Sequence, residues 1–308
     1  MPTNSAGQMK IGAIMPIAEE DVPGGFPRYA DIRAVARQAE AAGLDSIWVY
    51  DHLLFRFPEQ PTAGIWECWS MLAALAEATT RVQLGTLVMC VPFRNPALLA
   101  KMADTVDEIS GGRLILGLGA GWHQPEFDAF GVPFAHKVDR FEEALQIIVP
   151  LLREGKVDFR GTYHSAPACE LRPRGPTAGG PEILIASVRP RMLRLTARYA
   201  DSWNMAWLGS PALLHERRAS LEAACAAEGR DPASLAITVG INILTPGGPP
   251  PEQPPKPERT LLGSPEEVAA GLKQHADLGV THAICALDRT TPETVAWLGE
   301  VAQIFRQM

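Results

Sequence analysis

The chain has little of what several protein classes require. Its five cysteines, Cys68, Cys90, Cys169, Cys225 and Cys285, form no CxxC pair, which excludes a zinc knuckle and a disulfide framework and suits a reducing compartment. Positive charge is in the minority, 28 Lys and Arg against 35 Asp and Glu for a formal net charge of -7, so nucleic acid is not the expected partner. No stretch approaches the roughly 18 apolar residues that span a bilayer, and the start, MPTNSAGQ, lacks a cationic run followed by an apolar one. A cytoplasmic protein with no membrane partner is expected. Disorder is excluded as well, because 46% hydrophobic and 20% charged residues supply a sizeable core.

Short apolar runs rich in β-branched residues alternate with longer segments of helical spacing. The predicted strands are residues 11–16, 45–50, 82–89, 114–119, 183–186, 201–206, 236–244 and 281–287. Asn95-Pro96 predicts a helix start, Leu99, Met102, Val106 and Ile109 one face, and Gly111-Gly112 the stop. From Val138, Phe141, Leu145, Ile148 and Leu152 predict a second helix that Pro150 should bend or break. Ser264-Pro-Glu-Glu267 reads as a capping box, and Thr291-Pro292 as a last helix start. Eight β/α units without a linker predict one α/β domain over residues 1–308, a (β/α)8 TIM barrel with loop insertions at its C-terminal mouth; a doubly wound open sheet is the runner-up. Residues 1–8 are expected to be a flexible lead-in. Residues 246–260 form a Pro-rich loop insertion, either a plain extended loop or a lid over the mouth, and residues 163–180 a second insertion rich in Pro and Gly.

In such a barrel the functional residues follow the strands. Asp51-His52 puts a carboxylate beside an imidazole after the second strand, which reads equally as proton-transfer chemistry or as a capped loop. His123 and Glu126 are acid/base candidates that also suit an ordinary helix start. The run Gly117-Leu-Gly119-Ala-Gly121 has GxGxG spacing, so a Rossmann fingerprint is rejected. Ala186-Ser187, ahead of a helix near Pro190 and with Arg189 and Arg191 beside it, is the better phosphate site. The first strand ends without a metal ligand, and no metal is expected. Trp48, Trp66, Trp69, Trp122, Trp203 and Trp207 fall near the mouth segments, where they either enclose a flat ring or pack the core.

Five segments together resemble the luciferase-like monooxygenase superfamily of flavin-dependent oxidoreductases, in particular its branch dependent on coenzyme F420. They are GLDSIWVYDH (43–52), RVQLGTLV (81–88), FRNPALLAKMADTVDEISGGRLILGLGAGW (93–122), PEILIASVRPRMLRLTARYADSWN (181–204) and, more loosely, GSPEEVAAGLKQHADLGVTHA (263–283). The resemblance implies a luciferase-like barrel, a homodimer and a flavin ring in the mouth. It implies Asp51 and His52 as cofactor contacts with catalytic roles, His52 exchanging a proton with a small-molecule substrate and Asp51 orienting His52 or the ring edge. A non-proline cis peptide is implied at Leu87-Val88, after Thr86, as the brace under the ring. Ala120 and Gly121 are implied as cofactor contacts, and Ala186, Ser187 and Val188, then Ser202 and Trp203, as the phosphate segment. Many relatives have paired glycines where this chain has Ala186-Ser187, and glycine where it has Ser202. The glutamate that sugar-phosphate dehydrogenases carry after the fourth-strand glycines is Trp122 here, which disfavours that activity. The implied function is hydride transfer between F420 and a small organic substrate. The alternatives are an FMN monooxygenase using reduced FMN (FMNH2) and O2, and a non-catalytic flavin-binding protein. Either enzymatic reading admits a flavin or F420 reductase as the partner that supplies reduced cofactor.

Overall fold

The computed structural model describes residues 9–21, 25–248 and 254–308. The expected flexible lead-in, residues 1–8, and residues 249–253 of the Pro-rich loop lie outside the described residues. Eight strands, β1 (Lys10–Ile14), β2 (Ser46–Val49), β3 (Gln83–Thr86), β4 (Leu114–Gly119), β5 (Glu182–Ala186), β6 (Ser202–Ala206), β7 (Ala236–Ile243) and β8 (His282–Leu287), pair in parallel in chain order. The pairing is continuous around the ring: Ala13 of β1 faces Cys285 of β8, and Glu182 of β5 faces Ile115 of β4. The sheet is therefore a closed (β/α)8 barrel. Its strands read as near-continuous apolar runs because helices cover one side and the barrel interior the other.

Nine helices lie among the described residues: α1 (Tyr29–Ala41), α2 (Cys68–Ala78), α3 (Pro96–Ser110), α4 (Gln124–Phe130), α5 (Lys137–Glu154), α6 (Pro190–Tyr199), α7 (Ala212–Ala227), α8 (Pro265–Asp277) and α9 (Pro292–Phe305). The side chain of Asn95 caps α3 by accepting from the amides of Ala97 and Leu98 at 2.9 and 3.1 Å, and Gly111 ends it at φ 67°. Leu99 and Val106 are buried on the predicted face, whereas Ile109 is 44% exposed. Both predicted capping features form, at Ser264 of α8 and Thr291 of α9. Pro150 does not break α5, which runs on to Glu154. It sits in the last turns, where Leu151 and Leu152 are buried and Gly155 donates to the carbonyls of Pro150 and Leu151, so packing on both sides outweighs one missing donor.

A separate cluster fills the barrel itself: Ile14, Trp48, Ile115, Leu184 and Ile284. Trp48 lies over Gly85, where an added Cβ would stand 2.1 Å from the indole. The indole is held by Nε1 donating to Ser46 Oγ at 2.7 Å, and the same oxygen lies 2.7 Å from His282 Nε2. Polar pairs close the N-terminal end, Lys10 Nζ donating to Gln83 at 2.9 Å and Ser202 Oγ to Glu182 at 2.7 Å. Burial drives His282 down to about 3, with Lys10 adding to it, so its ring is neutral there.

Three segments depart from the sequence expectation. Residues 82–89 are not one strand: β3 stops at Thr86, Leu87-Val88 is a cis peptide as the resemblance implies, and Met89–Cys90 pairs again with Leu118 and Gly119 of β4. Within residues 163–180, Ser165–Glu170 forms an antiparallel hairpin with Lys156–Arg160. The far end of the Pro-rich segment is ordered, Thr260–Leu261 adding to β7 and Glu258 accepting from the amide of Gly209 at 2.9 Å. No helix among the described residues is long and apolar enough to cross a membrane.

Candidate active site

The strand ends surround a cleft of about 650 Å³, within the range of small-molecule sites. Of the residues singled out from sequence, Asp51, His52, Leu87, Val88, Ala120, Gly121, Ala186, Ser187 and Val188 line it, together with Glu126, Lys137, Arg189, Asn204 and Trp207. Gly121 has φ 76°, and a side chain there would collide with Phe127 and Cys90, so the backbone turns into the cleft only as glycine.

Thr86, Ser202 and Trp203 are not brought to the cleft. Thr86 Oγ1 exchanges two 2.9 Å hydrogen bonds with the backbone of Gly117 in β4. Ser202 opens β6 at the opposite, N-terminal end of the barrel and is bonded to Glu182. Trp203, one residue on, turns outward under the helices and donates to Ser187 O at 2.8 Å. The strand's period of two thus turns Trp203 outward and its neighbour Asn204 toward the cleft, while Trp207, past the end of β6, also lines it. Of the other tryptophans Trp48 and Trp69 are core, Trp66 lies outside the cleft, and Trp122 lines it at 57% exposure.

Asp51 and His52 are neighbours in sequence with different partners. Asp51 is buried and grips Arg94 with both oxygens, at 2.5 and 3.1 Å, and accepts from the amide of Cys90 at 2.9 Å. Burial pushes its carboxyl up, opposed by Arg94 and Cys90, and Arg94 also reaches Glu67. Asp51 therefore does not orient His52. The carboxylate that does so is Glu126, from the first turn of α4: it lies 2.8 Å from His52 Nδ1 and accepts from the amide of Leu53 at 2.9 Å through its second oxygen. Glu126 is fully buried, while the His52 side chain keeps 16% exposure toward the cleft. The other acid/base candidate, His123, accepts from the amide of Arg56 at 3.0 Å, and burial holds its pKa down, so it acts as a loop anchor. His52 is packed by Phe55 at 4.6 Å and by Trp122 edge-on at 5.5 Å between ring centroids.

The cleft also carries two cations. Lys137 and Arg189 line it, the Lys137 ammonium over the Phe134 ring at 4.2 Å with its pKa lowered by burial. Arg191, expected there from sequence, is held instead by Asp139 and Glu142 at 2.6 and 2.7 Å. The amides of Val188 and Arg189, ahead of α6, have no protein acceptor among the described residues. Ser187 turns its hydroxyl to Thr196 of α6 at 2.8 Å, so neither serine that replaces a family glycine puts a hydroxyl into this corner. Asn204, fully buried on the floor, donates through Nδ2 to Thr238 Oγ1 at 2.8 Å, and its Oδ1 has no partner among the described residues. Apolar Leu87 and Val88, together with two cations and unpaired amides in the same cleft, make the set that a flat ring carrying a phosphate needs. No cluster of His, Cys, Asp and Glu fit for a metal occurs among the described residues.

Sequence reasoning noted Glu126 without its partner, since 74 residues separate it from His52. It missed Lys137, which carries no motif of its own, and it named Asn204 only as part of the segment at the end of the sixth strand, with no role. Against known proteins, the family model described as luciferase-like monooxygenase matches residues 9–245. A phthiodiolone/phenolphthiodiolone dimycocerosates ketoreductase of Mycobacterium tuberculosis is 32% identical over 257 residues, 78% of this chain and 66% of that protein, so the match stops just short of two thirds of its length. A pyrimidine monooxygenase of Methylobacterium radiotolerans is 33% identical over 216 residues, 64% of this chain and 54% of that protein. Among solved structures, an F420-dependent secondary alcohol dehydrogenase in complex with an F420-acetone adduct superposes with TM-score 0.79 at 20% identity, over 97% of this chain and 100% of that one. A coenzyme F420-dependent tetrahydromethanopterin reductase from Methanopyrus kandleri gives 0.78 at 17%, over the same shares. At these identities the solved structures show a common fold.

Proposed function

The chain belongs to the luciferase-like monooxygenase family, and from that premise we propose that it transfers hydride between coenzyme F420 and a small organic alcohol or carbonyl compound. The observation that carries this reading is the His52–Glu126 pair on the wall of the cleft. Alcohol oxidation needs a base at the hydroxyl, and carbonyl reduction needs an acid at the same oxygen. With Nδ1–H donating to Glu126, the ring presents Nε2 as the proton acceptor, and the carboxylate steadies the imidazolium once the proton has arrived. In the opposite direction Nε2–H returns it. When bound, the cofactor supplies the hydride chemistry. Leu87 and Val88 brace its ring, and Lys137, Arg189 and the amides of Val188 and Arg189 take its phosphate.

The ketoreductase and alcohol dehydrogenase among the similar proteins support a carbonyl–alcohol pair. The match to a pyrimidine monooxygenase favours a second reading in the same cleft, reduced FMN and oxygen with a separate reductase. The test is titration of the purified protein with F420 and with FMN, each oxidised and reduced, read by fluorescence and absorbance. Tight F420 binding, together with a His52→Ala variant that still binds it but turns over secondary alcohols about a hundredfold more slowly, is the expected result. Preference for reduced FMN moves the assignment to the monooxygenase, and binding of neither leaves the family membership alone standing.

A further inference from the structure

Resting on the cofactor reading above, we infer that Asn204 is a ligand-binding residue whose Oδ1 accepts a hydrogen bond from a hydroxyl of the ribityl chain, the polyol that F420 and FMN have in common. The orientation of the Asn204 amide follows from its neighbours. Thr238 Oγ1 has one proton, and it goes to the carbonyl of Trp203 at 3.1 Å. At its 2.8 Å contact with Asn204 the hydroxyl must therefore accept, which fixes Nδ2 on that side and turns Oδ1 the other way. The result is an acceptor with no partner among the described residues, on a residue that is fully buried and belongs to the lining of the cleft. A buried acceptor left unpaired is unfavourable, and native proteins keep one chiefly where something else completes it.

What completes it follows from position. Asn204 is the register partner of Ala186 on β5, directly ahead of the Ser187–Arg189 corner with its free amides. A ring braced at Leu87-Val88 and a phosphate in that corner place the connecting chain over Asn204. The only donors on that chain are its hydroxyls. The ring's own imide N–H lies on the edge remote from the chain, and phosphate oxygens have no proton to offer.

The experiment compares two ligand types on the intact protein by fluorescence titration: F420 and FMN on one side, and on the other an FMN analogue whose ring nitrogen carries a plain pentyl phosphate. The parent protein is expected to bind FMN or F420 at least tenfold more tightly than the pentyl analogue. Asn204→Ala is expected to lose about tenfold for the polyol ligands and nothing for the pentyl one, with an unchanged circular dichroism spectrum. Thr238→Val, which frees the amide to turn, shifts the same ratio in the same direction by less, and it decides the question should Asn204→Ala not fold. Equal losses for polyol and pentyl ligands, or no loss for either, overturn the role of Asn204 while leaving the cofactor reading intact. A parent protein that binds neither F420 nor FMN overturns the cofactor reading and this assignment with it.

Discussion

At the scale of single residues, the site is built from two carboxylates doing different work in one cleft. Glu126 faces a titratable imidazole, and Asp51 faces a guanidinium that stays charged. Removing the cation is the harsher change: Arg94→Met leaves the buried Asp51 with only the Cys90 amide, and unfolding by denaturant should show a loss of about 3–5 kcal/mol. The double variant Arg94→Met with Asp51→Asn should recover part of that loss, since the uncompensated charge is gone. The sequence made Asp51 and His52 visible through their adjacency, and the resemblance supplied their roles. It could not show which carboxylate serves the histidine, because chain neighbours at a strand end point to opposite sides while the true partner arrives from another β/α unit.

Elements were the most legible scale. All eight barrel strands fall within a few residues of their predicted positions, because apolar runs followed by capped amphipathic helices leave few alternatives. The exceptions are cases in which tertiary context overrules local preference, as at Pro150 and at the end of β3. Two glycines show how differently the same residue type serves its element. Gly111 has open space around it and φ 67°, so Gly111→Ala should lower stability by about 1 kcal/mol through backbone conformation alone. Gly85 has an ordinary conformation and no room. Gly85→Ala should lower the melting temperature more than Gly111→Ala does, and adding Trp48→Phe should return part of the difference by shrinking the ring that the methyl strikes.

For the molecule as a whole, the buried polar layer at the N-terminal end of the barrel makes stability depend on acid. The unfolded chain protonates His282 near pH 6.5 and the folded chain only near pH 3, so the unfolded state binds the extra proton throughout that window. Stability falls as pH drops from about 6.5 toward 3, then levels off as far as this group is concerned. His282→Gln should flatten the decline of the unfolding midpoint over that range relative to the parent, whereas an unchanged slope would assign the acid sensitivity elsewhere. The global architecture was readable from sequence because it repeats eight times; of the two cations in the cleft, Arg189 was legible beside the phosphate segment and Lys137 was not, because it belongs to another unit and joins Arg189 only on closure of the ring.

That closure has one more consequence. With Trp48, Ile14, Ile115, Leu184 and Ile284 packed along its axis, the barrel has no bore among the described residues, and nothing reaches the cleft through the barrel itself. On the proposed reading, in which a cofactor and a substrate share this cleft, the floor closed by Trp48 and its neighbours makes the order of binding a property of the mouth alone.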